Sequence, residues 1–370
     1  MSIFLIVSFM AARTRNSSAV TLNVALYPYV PEYGSFEETA LQCFREIHPE
    51  VELNFVEWDC YSGTVPDDLD VFVFDTVCLD TYVKNGFLLP LDREDIADAD
   101  DLIPAFLEGS LADGTVYAVP QMLCTDLLYT RKDDTDLLDV KSIAELYGIL
   151  EDGELLIEKS GTTTEICRYL QAVMDSRQGW TDSFPPLEEG SLSDEAVLSL
   201  EWVDGMWEAQ EETAREDTGL YFYAKRFAEG SGRACIGFTE AMSAMGSAAE
   251  ETEFRLVSMT DDENIPVFFM DAASVNAKIA DEKKTAAVDL LNMITGKDFM
   301  KRVCENEGKP RYILASRYSV YYALSEDYPI YAALRDIVTV PDARVFRIAP
   351  DGWAYITESK KNMHLLPRLY

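Results

Sequence analysis

Histidine is nearly absent from this chain: only His48 and His364 occur among 370 residues. Histidine is the side chain whose ordinary pKa lies closest to neutral pH, and it serves most often as a general base or metal ligand. The scarcity of histidine therefore disfavours a histidine-based catalytic triad and a multi-histidine metal site. Any general base in this protein is expected to be a carboxylate.

Positive charge is also scarce, with 31 Lys and Arg residues against 66 Asp and Glu residues and a formal net charge of −35. Such a chain repels nucleic acids and anionic membrane surfaces. Neither is expected as a partner. Two interpretations of the acidic surplus remain, solubility on the one hand and attraction of a cationic small molecule on the other.

Paired cysteines are missing as well. The seven cysteines form an odd set without a CxxC motif, which argues against a disulfide framework and a zinc site. Six of them are interpreted as small buried side chains. Cys124 interrupts the apolar segment "PQMLCTDLLYTR", and composition alone leaves it open as a buried side chain or a nucleophile.

No apolar run is long enough to cross a bilayer. The longest candidate, "SIFLIVSFMAA" within residues 1–20, lacks a basic start and is interpreted as a weak signal peptide. It favours a secreted protein. Seven free thiols would instead suit a reducing compartment, so a cytoplasmic location is the alternative.

The periodicity of the first hundred residues predicts alternating strands and helices. "TLNVALY", "VELNFVEW" and "DLDVFVFD" have strand patterns, and "SFEETALQCFREI" has a helical one that begins with a Ser35–Glu38 capping box. This order predicts a parallel sheet. Further along, Pro120 is expected to separate two strand segments, and Thr162 with Glu165 forms a second predicted capping box.

The order of elements resembles the type II periplasmic solute-binding protein fold, an α/β fold of two lobes with a ligand cleft between them. The resemblance implies that "VYAVPQMLCTDLLYTRK" crosses from one lobe to the other and that "IPVFFMDAASVNAK" returns. Lobe 1 is then expected over residues 21–124 and about 267–310. Lobe 2 is expected over residues 125–266 and about 311–370.

Several segments resemble the thiaminase I (thiamine pyridinylase) family more closely. They are "LYPYVP", "WDCYSG", "PDDLDVFVFD", "VYAVPQMLCTDLLYTRK" and "GFTEAMSAMG". The resemblance implies a transferase that exchanges the thiazolium of thiamine for another base, with Cys124 as nucleophile and Glu240 as general base. It implies a monomer that acts on small molecules, namely thiamine and an amine or thiol, without cofactor or metal.

The same resemblance assigns the substrate-binding residues. They are Tyr27, Tyr61, Asp75 and Asp271, with either Tyr221 or Tyr223 from "LYFYAKRF". Phe238 and Phe269 stand where bacterial relatives are expected to carry tyrosine. The substitutions keep the stacking area and remove two hydroxyl groups.

The chemistry supports these assignments independently. Thiazole leaves the aminopyrimidine more easily once a nucleophile has added to the ring, and a thiolate can add and leave again. The thiol needs a nearby base, which burial would bring towards neutral pKa if it is Glu240. The competing hypothesis is a non-catalytic solute-binding protein for thiamine or a pyrimidine, and a cysteine hydrolase is disfavoured by the scarcity of histidine.

Overall fold

The structure is a computed structural model that describes residues 20–157, 161–207 and 221–367. The predicted signal peptide lies outside these residues. The strands are β1 Val20–Ala25, β2 Val51–Phe55, β3 Val71–Asp75, β4 Leu111–Ala112, β5 Thr115–Val116, β6 Val119–Cys124, β7 Asp126–Arg131, β8 Leu155–Ile157, β9 Ala234–Phe238, β10 Thr252–Arg255, β11 Val267–Val275, β12 Glu305–Asn306, β13 Lys309–Pro310, β14 Leu314–Ala315 and β15 Arg344–Val345.

The helices of the described residues complete the inventory. They are α1 Gly34–Ile47, α2 Leu79–Lys84, α3 Pro104–Gly109, α4 Ile143–Tyr147, α5 Thr162–Ser176, α6 Asp194–Trp207, α7 Phe222–Ala228, α8 Met242–Met245, α9 Asp281–Ile294, α10 Lys297–Cys304, α11 Tyr318–Ser325, α12 Ile330–Val338 and α13 Gly352–Ser359. In this part of the chain no helix is long and apolar enough to span a membrane.

The first sheet has the strand order β14-β6-β11-β3-β1-β2, and β15 pairs separately with β11. β1 runs parallel to β2 and β3, as the βαβ pattern of the sequence predicted. Residues 71–74 of β3 are fully buried because helices cover both faces of this central strand. β11 runs antiparallel to β3 and β6, which makes the sheet mixed.

The second sheet has the order β10-β7-β9-β8. β7 runs antiparallel to both of its neighbours, whereas β8 and β9 are parallel. The longest helices of this lobe, α5 and α6, pack against each other. Each sheet therefore forms its own lobe.

Two segments connect the lobes, and both were predicted. β6 of the first sheet continues through Thr125 into β7 of the second, and β11 brings the chain back. The Thr125 hydroxyl donates a hydrogen bond to the Val267 carbonyl at 3.0 Å, so the outgoing and returning segments are joined where they cross. This junction is the floor of the cleft.

Pro120 does not separate two strands as predicted, because it lies inside β6. The pairing register between β6 and β11 shifts there: Met122 pairs with Asp271 and Pro120 with Ala272. A bulge tolerates proline because it leaves a backbone position outside the ladder. The break in the strand falls instead at Thr125, directly after Cys124.

Neither predicted capping box forms. α1 begins at Gly34, one residue before Ser35, and the Ser35 hydroxyl donates to the Glu32 carbonyl at 2.9 Å. α5 begins at Thr162 after Gly161, whose φ of 107° suits a residue without a side chain. Glu165 is bound to Arg168 instead, at 3.1 Å.

The chain after residue 310 also differs from the predicted division. β14 pairs with β6 and β15 with β11, so both strands belong to the first sheet and not to lobe 2. β14 covers the edge of β6 that β11 leaves unpaired, which satisfies backbone groups of the crossing strand. α13 then contacts both lobes, since it packs against α2 and α5.

Candidate active site

Cys124 is the last residue of β6, at the point where the chain leaves the first lobe. Among the seven free cysteines it is half-buried, whereas the other six are buried. Burial raises the pKa of its thiol well above the usual range, and nearby carboxyl groups raise it further, in decreasing order Glu240, Asp271, Asp75 and Asp126. The resting side chain is therefore a neutral thiol that needs a base to react.

Glu240 lies in a short 3₁₀ turn, Thr239–Ala241, that follows β9 in the second lobe. Burial raises the pKa of its carboxyl to about 7, and the charge of Asp126 contributes to the increase. Its own backbone N–H and the Thr239 hydroxyl, which donates at 3.3 Å, act in the opposite direction. A carboxylate with this pKa can accept a proton at neutral pH and return it.

Two strand pairings, one in each sheet, bring Cys124 and Glu240 together. Cys124 pairs with Phe269 across β6 and β11, and Asp126 pairs with Phe238 across β7 and β9. The rings of Phe238 and Phe269 meet edge to face, with centroids 6.1 Å apart. Glu240, two residues after Phe238, is thereby held on the Cys124 side of the crossing.

Asp75 and Asp271 form an acidic pair, and both carboxyl groups contribute to the raised pKa of the Cys124 thiol. Asp75 accepts hydrogen bonds from the Val77 N–H at 2.8 Å and the Tyr61 hydroxyl at 2.7 Å. Burial raises the pKa of both carboxyl groups, and the charge of Asp75 raises that of Asp271 further. Because donors favour the anion at Asp75, Asp271 is the member that keeps a proton.

Two tyrosine hydroxyls extend the hydrogen-bond network of the acidic pair. The Tyr61 hydroxyl uses its single proton on Asp75, so the Tyr27 hydroxyl, 3.1 Å away, donates to Tyr61. Burial, followed by the charges of the acidic pair, raises the pKa of Tyr27 well above its usual range. Both tyrosines therefore stay protonated and present aromatic surface beside two carboxyl groups.

Known proteins are similar to this chain over most of its length. A family model described as Thiaminase-1 domain matches residues 125–260. Over 368 residues the chain is 38% identical to thiaminase-1 of Paenibacillus thiaminolyticus, covering 95% of this chain and 89% of the relative. The chain belongs to the thiaminase-1 family.

Solved structures show the fold of this thiaminase-1 family member. Clostridium botulinum thiaminase I in complex with thiamin superposes with a TM-score of 0.87 at 38% identity, covering 93% of this chain and 99% of that one. An ABC transporter solute binding protein from Agrobacterium vitis with bound D-mannitol gives 0.67 at 17% identity, covering 94% and 97%. The two-lobed periplasmic-binding-protein-like fold predicted from the sequence is confirmed.

The tyrosine of "LYFYAKRF" nearest the site is Tyr221. It is half-buried and directly precedes α7. Its charge raises the pKa of Tyr129, which the charge of Glu240 raises as well. Tyr223 is buried in the second lobe, with its ring 6.1 Å from that of Trp207. The assignment of Tyr221 or Tyr223 to the substrate therefore stays a prediction.

Sequence reasoning missed several residues around the cleft of this family member. Arg168 of α5 binds Asp126 with two nitrogens, at 2.9 and 3.3 Å. Trp353 of α13 donates from Nε1 to the Tyr61 carbonyl at 2.7 Å and so supports the 3₁₀ turn Cys60–Ser62, which we call the tyrosine turn. Asp126 follows Cys124 by two residues and could have been found by proximity, whereas Arg168 and Trp353 are distant in sequence and carry no motif.

Among the residues that the structure describes, no three His, Cys, Asp or Glu side chains form a group that could hold a metal ion. The site presents a thiol, a carboxylate with pKa near neutrality, a proton-carrying acid pair and flat aromatic surface. These groups suit nucleophilic attack on a cationic heteroaromatic molecule.

Proposed function

We propose that this protein is a thiamine pyridinylase, which transfers the aminopyrimidine methyl group of thiamine from the thiazole to an amine or thiol. The observation that carries the proposal is the placement of Cys124 at the crossing with Glu240, a carboxyl of pKa about 7, on the facing lobe. Membership of the thiaminase-1 family and the thiamin complex of a relative support it.

Binding uses the acidic pair and the tyrosines. The thiazolium of thiamine is cationic, so Asp75, whose anion two donors favour, attracts it into an acidic cleft. The aminopyrimidine is flat and carries ring nitrogens that accept hydrogen bonds. Protonated Asp271 can donate to such a nitrogen, and Tyr27 and Tyr61 offer surface for stacking.

In the first half-reaction, Cys124 loses its thiol proton to Glu240 as the sulfur forms a bond to the pyrimidine ring carbon beside the methylene arm. The electron pair that enters the ring is stabilised by the hydrogen bond from Asp271. That density then leaves with the thiazole as the methylene–nitrogen bond breaks. Because the thiazolium was cationic, the departing thiazole is neutral.

In the second half-reaction, the incoming amine or thiol adds to the methylene carbon and gives up a proton. Glu240, once it has released the first proton, is placed to accept this one. The ring regains aromaticity as the bond to sulfur breaks and Cys124 recovers its proton. The sequence of steps is a double displacement with no external oxidant or reductant.

Turnover with thiamine and an aromatic amine tests the proposal. We expect the wild-type protein to release thiazole and form a pyrimidine–amine adduct, measured by chromatography with mass detection. Cys124→Ser should abolish turnover, and Glu240→Gln should lower it about a hundredfold or more. Cys43→Ser and Glu253→Gln are matched controls outside the cleft and should keep wild-type rates. Binding of thiamine by the wild type without thiazole release would instead support the solute-binding hypothesis.

A further inference from the structure

A buried ion-pair group lies directly behind the two reactive residues, on the second lobe. Arg168 of α5 binds Asp126 through Nε at 2.9 Å and Nη2 at 3.3 Å, and binds Glu165 through Nη1 at 3.1 Å. The Arg168 and Glu165 side chains are 4% and 5% exposed, and that of Asp126 is 17% exposed. We call these three residues the Arg168 triad.

Asp126 occupies a junction between the reactive residues. It begins β7 two residues after Cys124, with only Thr125 between them. Its backbone pairs with that of Phe238, which precedes Glu240 by two residues. The position of one residue thus fixes both the segment that carries the nucleophile and the strand that carries the base.

The charge of Asp126 reaches both residues as well. It raises the pKa of the Glu240 carboxyl and that of the Cys124 thiol. The titratable groups that interact electrostatically with Asp126 or Glu240 come from four elements. They are Cys124 of β6, Tyr129 of β7, Glu165, Cys167 and Arg168 of α5, and Asp271 of β11.

We propose that Asp126 is a positioning residue that sets the separation and the local charge between Cys124 and Glu240, and that Arg168 holds it in place. The fork geometry of the guanidinium allows two parallel contacts to one carboxylate, which a single point charge could not provide. The inference rests on the proposed roles of Cys124 and Glu240 and assigns to the triad the tuning of their reactivity.

The charges of the Arg168 triad define the test. With two carboxylates and one guanidinium the triad carries a net charge of −1. Asp126→Asn brings it to zero, Arg168→Gln brings it to −2, and the double variant returns it to −1. We expect kcat to fall roughly tenfold to a hundredfold in each single variant, because a small displacement of reacting groups is costly, with little change in KM for thiamine.

The pH profiles should separate a tuning role from a merely structural one. Asp126→Asn should move the acid limb of kcat/KM to lower pH, and Arg168→Gln should move it to higher pH. The double variant should return the limb to near the wild-type position. Asp134→Asn is the matched control, since Asp134 makes the same two-nitrogen contact to Arg233 far from the cleft, at 2.9 and 2.8 Å.

The rate of Cys124 alkylation by iodoacetamide against pH gives a readout that needs no thiamine turnover. The pH at which alkylation accelerates should move lower in Asp126→Asn and higher in Arg168→Gln. It should return to near the wild-type value in the double variant. This result would support the inference even if the wild type failed to cleave thiamine, which would overturn only the proposed function. If both pH profiles stayed at the wild-type position in properly folded Asp126→Asn and Arg168→Gln, the inference about Asp126 would be overturned. If Arg168→Gln does not fold, Asp126→Asn against Asp134→Asn decides alone.

Discussion

Asp75 and Asp271 stand directly opposite each other on β3 and β11, so two carboxyl groups share one half-buried position of the first sheet. Asp75 is supplied with two donors, and Asp271 is left to carry a proton. The pair therefore offers one negative charge and one hydrogen-bond donor. A cationic substrate with a basic ring nitrogen requires both.

Replacement of each aspartate by asparagine should separate the two roles. Asp271→Asn keeps a donor at the position of a protonated acid and should change KM for thiamine less than threefold. Asp75→Asn removes the anion and should raise KM about tenfold, which corresponds to about 1.4 kcal/mol. Steady-state kinetics with Asp67→Asn, an exposed control, checks this. Equal KM values for the Asp75 and Asp271 variants would contradict the assigned protonation.

The raised pKa of Glu240 predicts a pH-dependent stability. The folded state holds the proton up to about pH 7, whereas the unfolded chain releases it near its ordinary pKa of 4.5, so stability falls as pH rises between these values. Glu240→Gln removes that loss. We expect the variant to be more stable than wild type at pH 8, by at most about 3 kcal/mol, and no more stable at pH 4. Thermal unfolding at both pH values measures this, and an equal difference at the two would refute it.

Gly63 supports the tyrosine turn by its lack of a side chain. It has a φ of 76°, and a Cβ added there would lie 2.8 Å from Cε2 of Trp353. Gly63→Ala should therefore lower stability by more than 1 kcal/mol and raise KM for thiamine, since Tyr61 lies two residues away.

Gly86→Ala is the matched control for Gly63→Ala. Gly86 has a similar φ of 69°, but a Cβ there would meet nothing within 4 Å. It should show the cost of the backbone conformation alone, about 1 kcal/mol, with an unchanged KM. If both variants had the same stability and kinetics, contact with Trp353 would not matter.

We expect substitution by tyrosine to be tolerated at the two phenylalanine positions of the cleft. Phe238 and Phe269 are half-buried, and Phe269 packs against Phe346 with centroids 4.9 Å apart. Phe238→Tyr adds a hydroxyl at a partly open position and should keep Tm and kcat/KM at or above wild-type values. Phe238→Ala, which loses the ring, should lower kcat/KM about tenfold. A larger loss in the tyrosine variant than in the alanine variant would contradict this account.

Local sequence patterns predicted individual strands and helices of the fold. The continuous apolar run of residues 71–74 predicted a buried strand, and the resemblance to the solute-binding protein fold implied the two crossings between the lobes. The start of α5 was not predicted, because Gly161 can adopt a positive φ while a threonine cap competes only weakly. The pairing of β14 with β6 was also missed, since β14 is only two residues long and lies almost two hundred residues from β6 in the sequence.

The reactive residues of the candidate site were predicted, and the residues that support them were missed. Cys124, Glu240 and the acidic pair occur in recognisable segments, so the resemblance could assign them. Arg168 reaches Asp126 across 42 residues of sequence, and only the packing of α5 beneath β7 brings the two together. Tyr221 and Tyr223 share one segment, and the direction of each ring depends on where α7 begins.

Mass spectrometry of the protein after reaction with a pyrimidine that carries a leaving group on the attacked ring carbon tests the central claim most directly. The account predicts one added pyrimidine on the peptide that contains Cys124, in wild type and in Cys43→Ser, and none in Cys124→Ser. Glu240→Gln should form the same adduct more slowly. Absence of an adduct on Cys124 in the wild type, or an adduct on another residue that persists in Cys124→Ser, would contradict it.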